Sequence, residues 1–360
     1  MMKKILVVDD SALMRRVLCD IINSDERFEV ADRANDGMEA LELLKKNSYD
    51  VAVLDVNMPR MNGLQLLYEL RKARIRVRVM MASTDTKDGA RTTLDALELG
   101  ALDFVHKPDN AMSCRVEDFK REFLTTLAGV AESRLPDLES KTPKQEVRTT
   151  THKIVEIARK HGTGNSGGRK IVAIASSTGG PKSLQSVIPR LPAELQAPVL
   201  VVQHMPKGFT ASLADRLDCL GEIRVKEAAE GDELQNGSVY LSMGGSHMNA
   251  RPAAAGKTVI HYSDEPSREG VKPCANYMYE SLMECGYDEI ICVVLTGMGA
   301  DGTEGIKNLK SKKKVHVIAQ DQETSVVYGM PRSVARAGLA DQIVPLEQIA
   351  QEIILNVGVK

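Results

Sequence analysis

The chain has 360 residues, 43% of them hydrophobic and 27% charged, with a formal net charge of −2. That length exceeds what one compact core holds, so two domains are expected, and the charge balance speaks against a nucleic-acid binder. Six cysteines, at 19, 114, 219, 274, 285 and 292, form no C-x-x-C pair, which excludes a patterned zinc site or disulfide framework and fits a reducing compartment. The opening "MMKKILVVDDS" has too few apolar residues before its acids for a signal peptide. No uncharged apolar run approaches membrane-spanning length, so a cytoplasmic chain without membrane insertion is expected.

Residues 3 to about 130 alternate apolar runs with amphipathic stretches. Strands are expected at Ile5–Val8, Phe28–Ala31, Val51–Leu54, Val77–Ala82 and Leu102–Val105. Helices are expected at Ser11–Ile22, Gly37–Lys46, Gly63–Lys72 and Gly89–Leu99. This repeat implies a parallel sheet covered on both faces. Asp9 and Asp10 follow the first strand and Asp55 ends "VAVLD". The carboxyl ends of parallel strands share one edge, so the three carboxylates meet there. Such like charges need a cation, and an all-oxygen site favours Mg²⁺. Ser83 ends "VMMAS" and Lys107 follows "LDFVH", which brings a hydroxyl and an ammonium to the same edge. The set suits attack by Asp55 on a phosphoryl donor.

"ILVVDDS", "VLDVNMPRMNGL", "MMAST" and "LDFVHKP" resemble the receiver domain of two-component response regulators over residues 3 to about 125. The resemblance implies a flavodoxin-like (βα)5 domain in which Asp55 accepts the phosphoryl group. It also implies that Asp9, Asp10, Asp55 and the backbone carbonyl of Asn57 hold Mg²⁺, and that Ser83 and Lys107 respond to phosphorylation. Asn57 stands where an acidic residue is frequent, and Met61-Asn62-Gly63 replaces "MDG"; neither removes a core group.

Residues 131–168 are polar, rich in Pro, Gly, Ser and Thr, and read as a linker. "HKIVEIARKH" within it suits a short helix. From 169 the α/β alternation resumes, with strands expected at Ile171–Ala175, Val199–Gln203, Ile291–Thr296 and Val315–Ala319. Ser238–Ser242 and Thr258–Tyr262, around a Gly-rich loop, suggest an antiparallel hairpin insertion. Residues 169–360 hold 20 Lys and Arg against 22 Asp and Glu, so this half is not a DNA-binding module either.

"IVAIASSTGGP" runs a buried strand directly into a helix start. A nucleophile at so sharp an elbow needs small residues two before and two after it. Ala175 and Gly179 satisfy this for Ser177, whereas Ile174 and Thr178 do not for Ser176. His204 directly follows the strand of "PVLVVQHMP", and Asp301 lies in the Gly-rich loop of "VVLTGMGADG". Serine, histidine and aspartate at three strand ends offer a nucleophile, a base and an orienter. His247 competes with His204, and Asp321 with Asp301. The backbone N–H groups of Thr178 and Met298 are the candidate oxyanion donors. A phosphate site at "SSTGGP" and a non-catalytic docking scaffold are the alternatives.

"IASSTGG", "VVQHMP", "VVLTGMGADG" and "VVYGMPRSVARAG" resemble the catalytic domain of the CheB family, the chemotaxis protein-glutamate methylesterases. The resemblance implies a doubly wound, mostly parallel α/β esterase domain with Ser177, His204 and Asp301 as its triad. It implies hydrolysis of glutamate γ-methyl esters on methyl-accepting chemoreceptors, and deamidation of receptor glutamines. It further implies a chemotaxis histidine kinase as phosphodonor and an unphosphorylated receiver that covers the cleft; a monomer is the default expectation. One departure stands out: Lys272-Pro273-Cys274-Ala275-Asn276 replaces the usual R-P-S-V-D run.

Overall fold

The computed structural model describes residues 2–84, 87–108, 117–135 and 168–359. The chain separates into two compact units, Met1–Lys141 and Thr142–Lys360. Most of the expected linker, including "HKIVEIARKH", lies outside the described residues.

In the first unit, β1 (Lys3–Val8), β2 (Phe28–Ala34), β3 (Val51–Asp55), β4 (Arg78–Thr84) and β5 (Asp103–Lys107) form one sheet in the order β2-β1-β3-β4-β5. Every pair is parallel. Helices α1 (Ala12–Asn23), α2 (Gly37–Lys46), α3 (Gly63–Lys72), α4 (Lys87–Leu99) and α5 (Glu117–Glu132) complete the (βα)5 repeat. β3 is buried along its whole length, as a strand covered on both faces must be. Helix starts are set locally: Ser11 accepts from the N–H of Met14, Asp36 from Met38 and Glu39, and Asn62 and Gln65 make a reciprocal cap on α3. The strand order reverses between β1 and β3, which opens a crevice at their carboxyl ends.

The second unit is built on a seven-stranded sheet of order β14-β13-β12-β6-β7-β9-β8. Its strands are β6 (Lys170–Ser176), β7 (Val199–Gln203), β8 (Arg224–Glu227), β9 (Ser238–Leu241), β12 (Glu289–Val294), β13 (Lys314–Gln320) and β14 (Gln342–Val344), all paired in parallel. The helices are α6 (Gly180–Val187), α7 (Phe209–Asp218), α8 (Ala275–Ser281), α9 (Thr303–Lys310), α10 (Met330–Arg336) and α11 (Leu346–Val357). The chain runs from β6 outward to β7, then returns to place β12 on the other side of β6. The switch point of this sheet is therefore the carboxyl end of β6.

The antiparallel insertion exists, but its strands differ from expectation. Thr258–Ser263 (β11) pairs with His247–Pro252 (β10), not with Ser238–Leu241. All four residues of β9 are buried, which suits a strand inside a two-sided sheet and not a hairpin with a wet face. β10, with its last two residues exposed, is the ribbon strand. The edge strands β8 and β14 escape sequence reading because they are short, and "RVKE" carries the charges that edges favour.

The close approach of α8 and α9 depends on Gly305. A Cβ there would lie 2.7 Å from both the Cα and the carbonyl oxygen of Asn276. Gly305→Ala is expected to lower the stability of the second unit by about 1–3 kcal/mol, read as a lower urea midpoint for that unit's transition.

Candidate functional site

In the first unit the sheet edge gathers the expected charges. Asp9, Asp10 and Asp55 place ligand oxygens within 4.8 Å of one another. Lys107 Nζ lies 2.8 Å from Asp9 Oδ2 and 2.8 Å from Asp55 Oδ1. Asp9, Asp55 and Lys107 are all buried, whereas Asp10 is exposed. Ser83 is fully buried and pairs with His106 in the β4–β5 register, one residue before Lys107. Asn57 is exposed just past β3, and its carbonyl oxygen accepts no hydrogen bond from a described residue. Burial pushes the Asp55 carboxyl above the usual carboxylate range; Lys107 opposes this and Asp9 adds to it. Burial works against the Lys107 ammonium, yet Asp55 and Asp9 hold it above its usual value. A buried acid destabilised by a neighbouring acid fits a site completed by a cation.

That shift fixes the sign of a stability effect. The folded unit binds the Asp55 proton more tightly than the unfolded chain, whose carboxyl sits near 3.8. Stability contributed by this group is present below 3.8 and falls as pH rises through the higher folded value. Asp55→Asn is therefore expected to raise the thermal midpoint of the first unit at neutral pH and to flatten its decline as pH rises above about 4, measured without added metal.

The second site is assembled from strand ends. Ser177 follows β6 and its N–H donates to the carbonyl of Thr296, 3.0 Å away beyond β12. Gly179, two residues on, has φ +77°, and a Cβ there would meet Val326 at 2.6 Å. Gly180–Val187 then forms α6 with Pro181 in its first turn. The small-residue rule for an elbow at Ser177 thus has a steric cause on the page. Ser176 is excluded as the reactive hydroxyl: it is fully buried and donates to Gln203 Oε1 at 2.7 Å.

β6 and β7 pair through Ser176 and Gln203, so Ser177 and His204 are the next residues on adjacent strands. The His204 N–H donates to the Ser176 carbonyl at 3.0 Å. Gln203 Nε2 donates to the carbonyls of both Ser177 and His204 at 3.0 Å, tying the two loop starts together. His204 Nε2 lies 2.8 Å from Asp301 Oδ2. The Ser177 hydroxyl and His204 Nδ1 are not hydrogen-bonded to each other, and among the described residues neither has another partner.

Asp301 is almost completely buried, and four donors meet it. Besides His204, they are the Ala275 N–H at 2.6 Å, the Asn276 N–H at 3.0 Å and the Cys274 thiol at 3.1 Å. Burial raises its carboxyl, but His204 and these donors outweigh that and leave it below the usual range. Of the competitors, His247 lies near enough to Asp301 for that charge to act on its imidazole, whereas Asp321 is held in its own turn. His247 begins β10 and is buried edge-on to Tyr277, with ring centroids 4.8 Å apart. Asp321 accepts from the N–H and hydroxyl of Thr324 in its own turn, at 2.9 and 2.6 Å.

The N–H groups of Thr178 and Met298 donate to no described residue. The Gly297–Gly299 loop passes directly over the serine: a Cβ on Gly297 would sit 2.7 Å from Ser177 Cβ. The loop is pinned from the far side, where the N–H groups of Gly329 and Met330 donate to the Gly297 carbonyl at 3.1 and 2.8 Å.

Sequence reading missed Gln203, Thr296 and Gln320. The Thr296 hydroxyl donates to the Thr178 carbonyl at 3.0 Å and accepts from the Val327 N–H, while its backbone N–H donates to Gln320 Oε1 at 2.8 Å. The available signal was a polar residue closing an apolar run: "VVQ", "VVLT", "VIAQ". Cys274 and Asn276 were singled out only as a departure of unknown consequence.

Two parallel α/β units, one with a carboxylate–lysine cluster and one with a serine elbow beside a His–Asp pair, define a response regulator carrying a hydrolase-type domain. The CheB methylesterase family matches residues 172–353, and the response regulator receiver domain family matches residues 5–115. The chain is 42% identical over 357 residues to a protein-glutamate methylesterase/protein-glutamine glutaminase of Pyrococcus horikoshii, covering 99% of this chain and 94% of the relative. It is 41% identical over 357 residues to the Bacillus subtilis protein of the same description, covering 98% of each. The crystal structure of the Thermotoga maritima CheB methylesterase catalytic domain covers 51% of this chain and 97% of its own, with TM-score 0.50 and 44% identity. The chain belongs to the CheB methylesterase family, with an N-terminal receiver domain. Among the described residues no helix is long and apolar enough to cross a membrane.

Proposed function

We propose that this protein hydrolyses glutamate γ-methyl esters on chemoreceptors, releasing methanol, and deamidates receptor glutamines, at a rate raised by phosphorylation of Asp55. The supporting observation is the 2.8 Å His204–Asp301 pair beside an uncommitted Ser177 hydroxyl. Whole-chain identity to methylesterase/glutaminase relatives gives the substrate class.

With Nε2 held by Asp301, His204 takes the Ser177 proton on Nδ1 as Oγ attacks the ester carbonyl carbon. The carbonyl π pair moves onto oxygen, where the Thr178 and Met298 N–H groups receive it. The C–OCH₃ bond then breaks, His204 returns the proton to the methoxy oxygen, and methanol leaves. Water attacks the acyl-enzyme, its proton passing to His204 and then to Ser177 Oγ, and glutamate is released. With glutamine, ammonia is the first leaving group.

In the receiver domain Asp55 takes the phosphoryl group from a chemotaxis histidine kinase. Asp9, Asp10, Asp55 and the Asn57 carbonyl would hold Mg²⁺, which would neutralise phosphoryl oxygens. Lys107 and Ser83 respond to the modified Asp55. We assign residues 1–130 to the receiver, 131–168 to the linker and 169–360 to the catalytic domain, acting as a monomer in the cytoplasm.

Ser177→Ala is expected to abolish methanol release from methylated receptor membranes while leaving Asp55 phosphorylation intact; retained release removes Ser177 as nucleophile. Asp55→Asn is expected to abolish the stimulation of methanol release by a small phosphodonor, and persistent stimulation means the receiver is not the switch.

A further inference from the structure

The segment in which this chain departs from the family pattern is the one that holds Asp301. Cys274 is fully buried, and its thiol lies 3.1 Å from Asp301 Oδ1. The first two N–H groups of α8, from Ala275 and Asn276, reach the same carboxylate at 2.6 and 3.0 Å. The grip is reciprocal. The Asn276 Oδ1 accepts from the N–H groups of Gly302 and Gly305 at 3.1 and 2.6 Å, at the start of the helix that Asp301 precedes. Asn276 Nδ2 in turn donates to Glu269 Oε1 at 2.7 Å. The α8 start therefore fixes both the carboxylate and the backbone that carries it.

Within this cage the roles divide by oxygen. Oδ2 accepts from the catalytic imidazole and from the Ala275 N–H. Oδ1 accepts from Cys274 and the Asn276 N–H. Without the thiol, Oδ1 keeps one neutral donor, and rotation of the carboxylate about its Cβ–Cγ bond is less restrained. Oδ2 then drifts from Nε2, and the ring it orients loses its aim at Ser177. Burial, with the adjacent Asp301 charge, pushes the Cys274 thiol far above its usual value, so it stays protonated and remains a donor.

We propose that Cys274 is a positioning residue for ester hydrolysis: its thiol locks the rotation of the Asp301 carboxylate and thereby aligns His204. This rests on the triad reading above. The test compares Cys274→Ser, Cys274→Ala and Cys274→Val in the full-length chain. Serine is smaller than cysteine but keeps a donor; alanine drops the donor and leaves the larger void; valine fills the space without one. Three readouts are taken: kcat and KM for methanol release from methylated receptor membranes, the rate of labelling by a serine-directed fluorophosphonate, and the melting midpoint.

Cys274→Ala and Cys274→Val are expected to lose about three- to tenfold in kcat and in labelling rate, the scale of one deleted hydrogen bond, with KM unchanged. Cys274→Ser is expected to keep near-parental kcat even though it melts with alanine below the parent. The activity order then crosses the stability order, which packing alone does not produce. The inference is overturned if alanine matches serine in kcat, or if kcat follows the melting order. His204→Ala separates the two readings. If it is slow while all three Cys274 variants are unimpaired, only this inference falls; if it is as fast as the parent, the triad falls and the inference with it. Should Cys274→Val not fold, the serine–alanine pair decides.

Discussion

At the carboxyl edge of a parallel sheet every strand stops together, and the first loop residues must be satisfied without water. The second unit meets this constraint with one polar side chain at each central strand end. Ser176, Gln203, Thr296 and Gln320 are all essentially inaccessible, and each bonds across to a neighbouring strand or its loop. A buried polar group left unpaired costs about 1–3 kcal/mol, so these residues tolerate little movement. The loops they hold are the ones that carry Ser177, His204 and the Gly297–Gly299 turn. The reactive groups inherit their positions from a framework that exists first to satisfy the sheet.

The first unit faces the same edge with charge. Asp9, Asp55 and Lys107 are buried there, and one ammonium serves two carboxylates. With Asp10 beside them, the acids outnumber the lysine among these four groups. The two edges differ accordingly in chemistry. One is closed and neutral at its base, suited to fixing a hydroxyl and an imidazole. The other keeps an unbalanced negative charge, suited to an incoming cation and to a carboxylate that is itself consumed.

Much of this was legible in the sequence because both units are parallel α/β, where buried strands read as uninterrupted apolar runs. α2, α3 and β7 begin and end where the periodicity puts them. Ser177 was separable from Ser176 by sterics alone, since Gly179 needs a positive φ and Ile174 precedes the wrong serine. What escaped detection depends on pairing. β9 was assigned to a hairpin because a short strand near glycines looks the same in either context; its four buried residues decide the matter. The donors around Asp301 were invisible because two are backbone N–H groups, and no side-chain pattern announces where a helix start will be aimed. Cys274 was seen as a substitution but not as a contact, because Asp301 lies 27 positions further on, with β12 between them.

The same donors bear on which imidazole nitrogen is committed to Asp301. A carboxylate buried with four donors is held ionised, as its downward shift indicates, and an ionised carboxylate only accepts. In the 2.8 Å contact the proton must therefore sit on His204 Nε2. That leaves Nδ1 as the ring nitrogen not committed to Asp301. On the proposed reading, the base that serves Ser177 is the ring nitrogen left uncommitted. The orienting role thus needs no proton transfer to Asp301. Every group that keeps Asp301 charged and immobile also keeps Nε2 as the donor and Nδ1 as the acceptor.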